Sequence, residues 1–187
     1  MKSQPVPAAL FIRNRSRLAQ LMSPGAVALI RAGERQLRNG DQTYPFRQRS
    51  DFFYLTGINQ EESFFAFSPD HPDPDLREIL FIKRPTLKSE LWTGHTPGPE
   101  QVQAFSGIGQ VRWLDEQDAY LQLLIGDETL VYADQETGAN QNPRKIPLAP
   151  LLQHLRMIKQ PEEIEEISRA VSITHSAFLR VLESIEP

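Results

Sequence analysis

Four short apolar runs constrain this chain more than any other feature: AVALI at 26–30, SFFAFS at 63–68, EILFIK at 78–83 and TLVYA at 129–133. Each has the length of a strand and turn-forming or polar neighbours, and AVALI is apolar at every position, as in a buried strand. A fifth run sits in YPFRQRSDFFYLTG at 44–57, where Arg47, Arg49 and Asp51 precede FFYLTG. It reads as a strand adjacent to the one at 63–68, with GINQEE as the connecting loop, so the early chain is expected to meander through one sheet. VRWL at 111–114 reads as a further short strand.

Helical patterns lie before, between and after these runs. From 7 to 22, Phe11, Leu18 and Met22 share a face at i, i+7 and i+11, with Arg13, Arg15 and Arg17 off it. Ser-Pro-Gly at 23–25 ends that helix, because proline cannot continue it and glycine permits the turn. Residues 33–41 are a polar loop with an Asn-Gly turn signal. Pro99 suits the first turn of a short helix, and Asp115 is expected to cap a helix running through Leu124. Helices over 148–157 and 161–185 complete an α/β domain. In the last, Ile164, Ile167, Val171, Thr174, Phe178, Val181 and Ile185 form a 3-4-3-4 seam that needs a cover: this domain's own sheet, or a partner beyond Pro187.

Composition narrows the function. A net charge of −4 and a pI near 5.6 offer no basic footprint for nucleic acid or an anionic membrane. With no cysteine, disulfides, thiolate catalysis, Cys-ligated zinc and iron–sulfur clusters are excluded. No secretory leader pattern follows Met1, and no window approaches the roughly 18 apolar residues of a membrane span. The expectation is a soluble protein of the cytoplasm.

The search for chemistry is negative. His71, His95, His154 and His175 are not spaced as metal ligands, and the prolines of DHPDPD at 70–75 favour a solvated loop over a metal site. His175, beside the helical seam, is expected to pack or face solvent. There is no G-x-S-x-G elbow, no recognisable base for a nucleophile and no glycine-rich phosphate loop. Glu61/Glu62 and Glu162/Glu163 fall in a loop and a helix start, where solvation or the helix dipole accounts for them. No self-sufficient active site is present.

Two features remain open on residue grounds. In an extended chain Arg47, Arg49 and Asp51 fall on one side, with Phe46, Gln48 and Ser50 on the other. That describes an edge segment with solvent-facing charges, or a surface in which Asp41, Tyr44 and Arg47 meet another polypeptide. Trp92, among turn-forming neighbours, either caps a core or projects as an interface anchor.

Y-P-F-R-Q-x-S-D-F-F-Y-L-T-G resembles the hallmark of the N-terminal domain of the Xaa-Pro aminopeptidases (aminopeptidase P), in the creatinase/prolidase family. SELWTG at 89–94 is similar to the family's E-x-W-x-G loop, and MIKQPEEIEEISRAVSITHSAF at 157–178 to its K-x-P-E-E-I linker helix. The resemblance implies a mixed β-sheet flanked by helices over 1–156, and a linker helix over 157–187 leading into a catalytic domain that this chain lacks. That domain would bind two divalent metals, typically manganese, whose activated water attacks the scissile carbonyl of peptides with proline second. No metal ligand or catalytic residue is expected in this chain, which alone should be inactive.

Its implied partners are the catalytic domain, further copies of itself in a homo-oligomer, and the peptide substrate. Trp92 matches a loop tryptophan that borders a neighbouring subunit's active site, and Asp41 an acidic residue just before the Y-P motif. Tyr44, Arg47 and Asp51 fall to an interface or structural role. Arg49 and His95 depart from the family pattern, where a smaller polar residue and an arginine are usual. The competing expectation is a stand-alone, metal-free interaction module of the creatinase-like type.

Overall fold

The computed structural model describes residues 6–86, 94, 96–133 and 144–185. Its contacts divide the chain into two units, Met1–Leu155 and Arg156–Pro187. The first opens with α1 (Ala8–Ala19), β1 (Val27–Arg31), a ribbon of β2 (Leu37–Asn39) and β3 (Gln42–Thr43), and α2 (Ser50–Thr56). β4 (Phe64–Phe67), β5 (Glu78–Ile82), α3 (Pro99–Ser106), β6 (Gln110–Trp113) and α4 (Gln117–Leu124) follow. β7 (Val131–Ala133), β8 (Lys145–Pro147), α5 (Ala149–Met157) and α6 (Pro161–Ser184) end the chain.

Six strands form one mixed sheet in the order β6-β5-β4-β1-β7-β8. β4 runs antiparallel to both β1 and β5, which is the expected meander without its expected strand at 51–56, whereas β5–β6, β1–β7 and β7–β8 are parallel. Alternation splits the strand side chains between two cores. Ala28, Ile30, Phe65, Phe67, Leu80 and Ile82 pack with Leu18, Phe52, Leu55, Val102, Leu152 and Leu155 from α1, α2, α3 and α5. Val27, Leu29, Phe64, Ala66, Ile79, Phe81 and Val131 pack on the other face, with Leu124, Tyr120 and Leu121 of α4. Helices on both faces explain why the strand runs are apolar at nearly every position.

One expectation is overturned in the hallmark stretch. Ser50–Thr56 is a helix, not a strand. Asp51 sits in its first turn, where the helix dipole favours a carboxylate, and Gly57 ends it in the left-handed region at φ +70°. Arg47, Arg49 and Asp51 therefore do not alternate along one extended segment. At the other correction, Asp115 lies in a 3-10 turn, Leu114–Glu116, and does not cap α4. The Glu116 carboxylate accepts from Trp113 N–H at 3.3 Å, while Asp115 meets Arg84 at 3.4 Å.

Helices α2 and α3 end in the same way. Thr56 Oγ1 donates to Phe52 O at 2.8 Å and accepts from Ile58 N at 3.2 Å; Ser106 Oγ donates to Val102 O at 2.7 Å and accepts from Ile108 N at 3.1 Å. A left-handed glycine follows each hydroxyl, Gly57 and Gly107, and then a buried isoleucine. α1 packs against both ends. Phe11 lies against Gly57 and Ile12 against Gly107, so close that a Cβ would fall 2.2 Å and 2.6 Å from them.

Arg15, expected off the apolar face of α1, is fully buried between these helix ends. Its Nη1 donates to Leu55 O at 2.8 Å and to Ser106 O at 3.0 Å, and its Nε donates to Glu78 Oε2 at 3.0 Å. A cation at two helix C-termini satisfies carbonyls that have no intrahelical partner. Burial pushes the Arg15 guanidinium below its ordinary pKa, and the Glu78 charge and hydrogen bond oppose that shift. Asn14 adds a bond from its amide to Tyr54 O at 3.0 Å.

The second unit is dominated by α6. Pro161 takes its first position and the Glu163 carboxylate accepts from Gln160 N–H at 2.8 Å, closing the N-terminus as in a capping box. Arg169 pairs with Glu166 at 3.0 Å one turn along. None of the helix's residues is buried, and the seam positions Ile164, Ile167, Val171, Phe178 and Val181 are all exposed.

Candidate interaction surface

Between β1 and α2 the chain leaves the sheet. Ala32 N–H still bonds Ser63 O at 2.8 Å, continuing the β1–β4 pairing by one residue. Residues 34–45 are then exposed without exception. Within them β2 and β3 pair antiparallel, Leu37 opposite Thr43 and Asn39 opposite Gln42. The Asn-Gly signal is realised in the turn: Gly40 has φ +55°, with Asp41 beside it at the tip. Tyr44 N–H closes the ribbon on Gln36 O at 2.9 Å, and the Arg38 guanidinium stands 5.9 Å from the Tyr44 ring centroid.

The ribbon thus groups Asp41 and Tyr44, with Leu37 74% and Tyr44 53% exposed. Arg47 is exposed just past it, and Asp51 lies half-buried in α2. Trp92 and His95 lie outside the described residues. Arg35 anchors the near end of the ribbon through a two-pronged pair with Glu61, Nε to Oε2 at 3.2 Å and Nη2 to Oε1 at 3.1 Å.

Sequence reasoning missed Gln48. Its side chain is buried at the root of the ribbon, where Oε1 accepts from Gly33 N (2.7 Å) and Arg49 N (2.9 Å). Its Nε2 donates to Ile58 O (3.2 Å) and Gln60 O (2.9 Å). A glutamine between two arginines signals nothing by itself; its partners lie 10 to 15 residues away on both sides.

Among the described residues, no three His, Asp or Glu side chains group where a metal ion could be held. In the DHPDPD loop the carboxylates bond within the loop and to its neighbours: Asp70 accepts from Gly25 N–H at 3.0 Å, Asp73 from Asp75 N–H at 3.0 Å, and Asp75 from the Gln110 amide at 2.7 Å. His71 Nδ1 faces Asp73 N at 3.1 Å. Leu37 and Tyr44 stand exposed on the ribbon, flanked by Arg38 and Asp41.

Comparison with known proteins agrees with this architecture. The family model "Aminopeptidase P, N-terminal domain" matches residues 11–132. The Xaa-Pro aminopeptidase of Escherichia coli strain K12 is 31% identical over 198 residues, covering 95% of this chain and 45% of its own length. Aminopeptidase P from E. coli, solved with the inhibitor Pro-Leu, superposes with a TM-score of 0.83 at 29% identity, over 98% of this chain and 46% of that one. A zinc-substituted form of the E. coli enzyme in complex with product gives 0.83 at 28% identity, with the same coverage. The chain therefore spans less than half the length of these relatives. With the mixed sheet, its flanking helices and the long final helix all in place, the chain belongs to the aminopeptidase P family, whose N-terminal domain it carries.

Proposed function

We propose that this chain is the assembly and active-site-bordering domain of an Xaa-Pro aminopeptidase, a metallo-exopeptidase that releases the N-terminal residue from peptides with proline second. The observation that supports this most is the match to the E. coli Xaa-Pro aminopeptidase over 95% of this chain and 45% of that relative. Among the described residues no three His, Asp or Glu side chains group to hold a metal, and in the one candidate loop Asp70, His71, Asp73 and Asp75 are engaged with Gly25, Asp73, Asp75 and Gln110. In this reading two divalent metals, manganese in the first instance, belong to a separate catalytic domain, joined through the segment 157–187, in which α6 spans Pro161–Ser184. Residues 1–156 then form the N-terminal domain.

Asp41, at the ribbon tip, and Trp92 border the peptide site, in trans from a neighbouring copy. Tyr44 and Arg47 lie on the contact surface between copies, and Asp51 supports it from the first turn of α2. The partners are the catalytic domain, further copies of the chain and the peptide, with no role for nucleic acid or membrane. Among the described residues no helix is long and apolar enough to cross a membrane, and a cysteine-free chain suits the cytoplasm.

The intact mass of the native gene product tests this arrangement. A subunit of roughly twice 21.3 kDa fits a two-domain peptidase. A native chain of 21.3 kDa would instead make it a stand-alone interaction module.

A further inference from the structure

We propose that Gln48 is a positioning residue: its buried carboxamide sets where the ribbon carrying Asp41 and Tyr44 stands. The inference rests on the bordering role proposed above for Asp41.

The ribbon cannot fix its own position. Its strands are three and two residues long with an irregular register, and every residue from 34 to 45 is exposed. A two-stranded hairpin of that size is marginal in water without support. The support has to come from the root, where the chain enters at Gly33 and leaves at 47–49.

At that root the Gln48 side chain makes four hydrogen bonds, two accepted and two donated. The bond from Gly33 N–H ties the incoming strand to the outgoing one. The bonds to Ile58 O and Gln60 O tie both to the segment between α2 and β4, and so to the sheet. The backbones are packed with little slack: a Cβ on Gly33 would lie 3.2 Å from Arg47 O and 3.4 Å from Arg49 N. A small change at this root is carried to the tip, because every residue of the ribbon is exposed and none is held in the core.

Gln48→Glu is the informative change. It keeps the shape and the acceptor facing Gly33 and Arg49, but sets a carboxylate oxygen against two carbonyls. The test is a double-mutant cycle in the full-length native gene product, with hydrolysis of a proline-second peptide as the readout. Gln48→Glu is expected to lower kcat/KM roughly ten- to a hundredfold, as a misplaced binding group does. In an Asp41→Ala background the same change is expected to alter kcat/KM by less than about twofold, because the tip it positions is already disabled.

A merely structural role predicts the opposite: an equal loss in both backgrounds, or no loss in a folded Gln48→Glu protein, overturns the inference. Should Gln48→Glu fail to fold, Gly33→Ala, which crowds the same root more gently, takes its place with the same two expectations. If the unmodified protein does not cleave proline-second peptides, or if Asp41→Ala leaves kcat/KM unchanged, the bordering role fails and this inference with it. An Asp41→Ala loss combined with a fully additive Gln48→Glu loss sinks the positioning role alone.

Discussion

The Arg15 guanidinium lies 3.0 Å from the Glu78 carboxylate, with the arginine fully buried and the glutamate partly open to solvent. The same guanidinium closes the ends of α2 and α3, so one side chain joins three helices to a strand of the sheet. Arg15→Ala is expected to cost about 3–5 kcal/mol, from the cavity left by a fully buried side chain and the two helix-end carbonyls left without their donor. Glu78→Gln should cost less, about 1–2 kcal/mol, because the two carbonyl bonds survive. Urea unfolding of the two variants checks the order; equal losses would show that the carbonyl bonds contribute little.

Gly57 and Gly107 make a second expectation. Both have positive φ and both stand against α1 with no room for a methyl group. Alanine at either should cost about 2–4 kcal/mol, from left-handed strain plus displacement of Phe11 or Ile12. Gly40, at φ +55° with open space around it, is the control: Gly40→Ala should cost only about 1–2 kcal/mol. Thermal unfolding of the three single variants reads the difference.

Thr56→Val tests the helix-end hydroxyl. Valine keeps the volume but leaves buried Ile58 N–H without its acceptor, a loss of about 1–3 kcal/mol. Thr56→Ser keeps the hydrogen bonds and should recover most of the stability in the same denaturation experiment.

What could be read in advance followed from local physics. β1, β4 and β5 were legible because short apolar runs between turn-forming or polar residues have little alternative. α6 was legible because proline and glutamates mark its start and a seam runs its length. The Asn39-Gly40 turn was legible too, but its segment read as a polar loop and not as the β2–β3 ribbon it forms.

α2 was not legible from periodicity, since Phe52 to Leu55 are apolar at every position and fit strand and helix alike. The discriminating signal was its C-terminus: Thr56-Gly57-Ile58 is echoed by Ser106-Gly107-Ile108, and both close a helix. Arg15 and Gln48 could not be placed from sequence. The partners that bury Arg15 are 40, 63 and 91 residues away, and those of Gln48 meet it only once β1, the ribbon and α2 are assembled.

Trp92 and Asp41 carry a prediction for the full-length protein. Trp92→Ala and Asp41→Ala should each lower hydrolysis of proline-second peptides roughly tenfold or more, if each binds or orients the peptide in the transition state. Neither should unfold the N-terminal domain, and Asp41→Ala, at an exposed position, should change its unfolding free energy by no more than about 0.5 kcal/mol. Unchanged kinetics in both would remove them from the substrate site.

The most direct measurement is peptide hydrolysis by the native gene product, purified from its source and supplied with Mn²⁺. The account predicts release of the N-terminal residue from peptides with proline second and little from otherwise identical peptides with alanine second. It also predicts no release by residues 1–187 alone under the same conditions. A native product that leaves proline-second peptides intact, or turnover by residues 1–187 alone that survives purification controls, would contradict it.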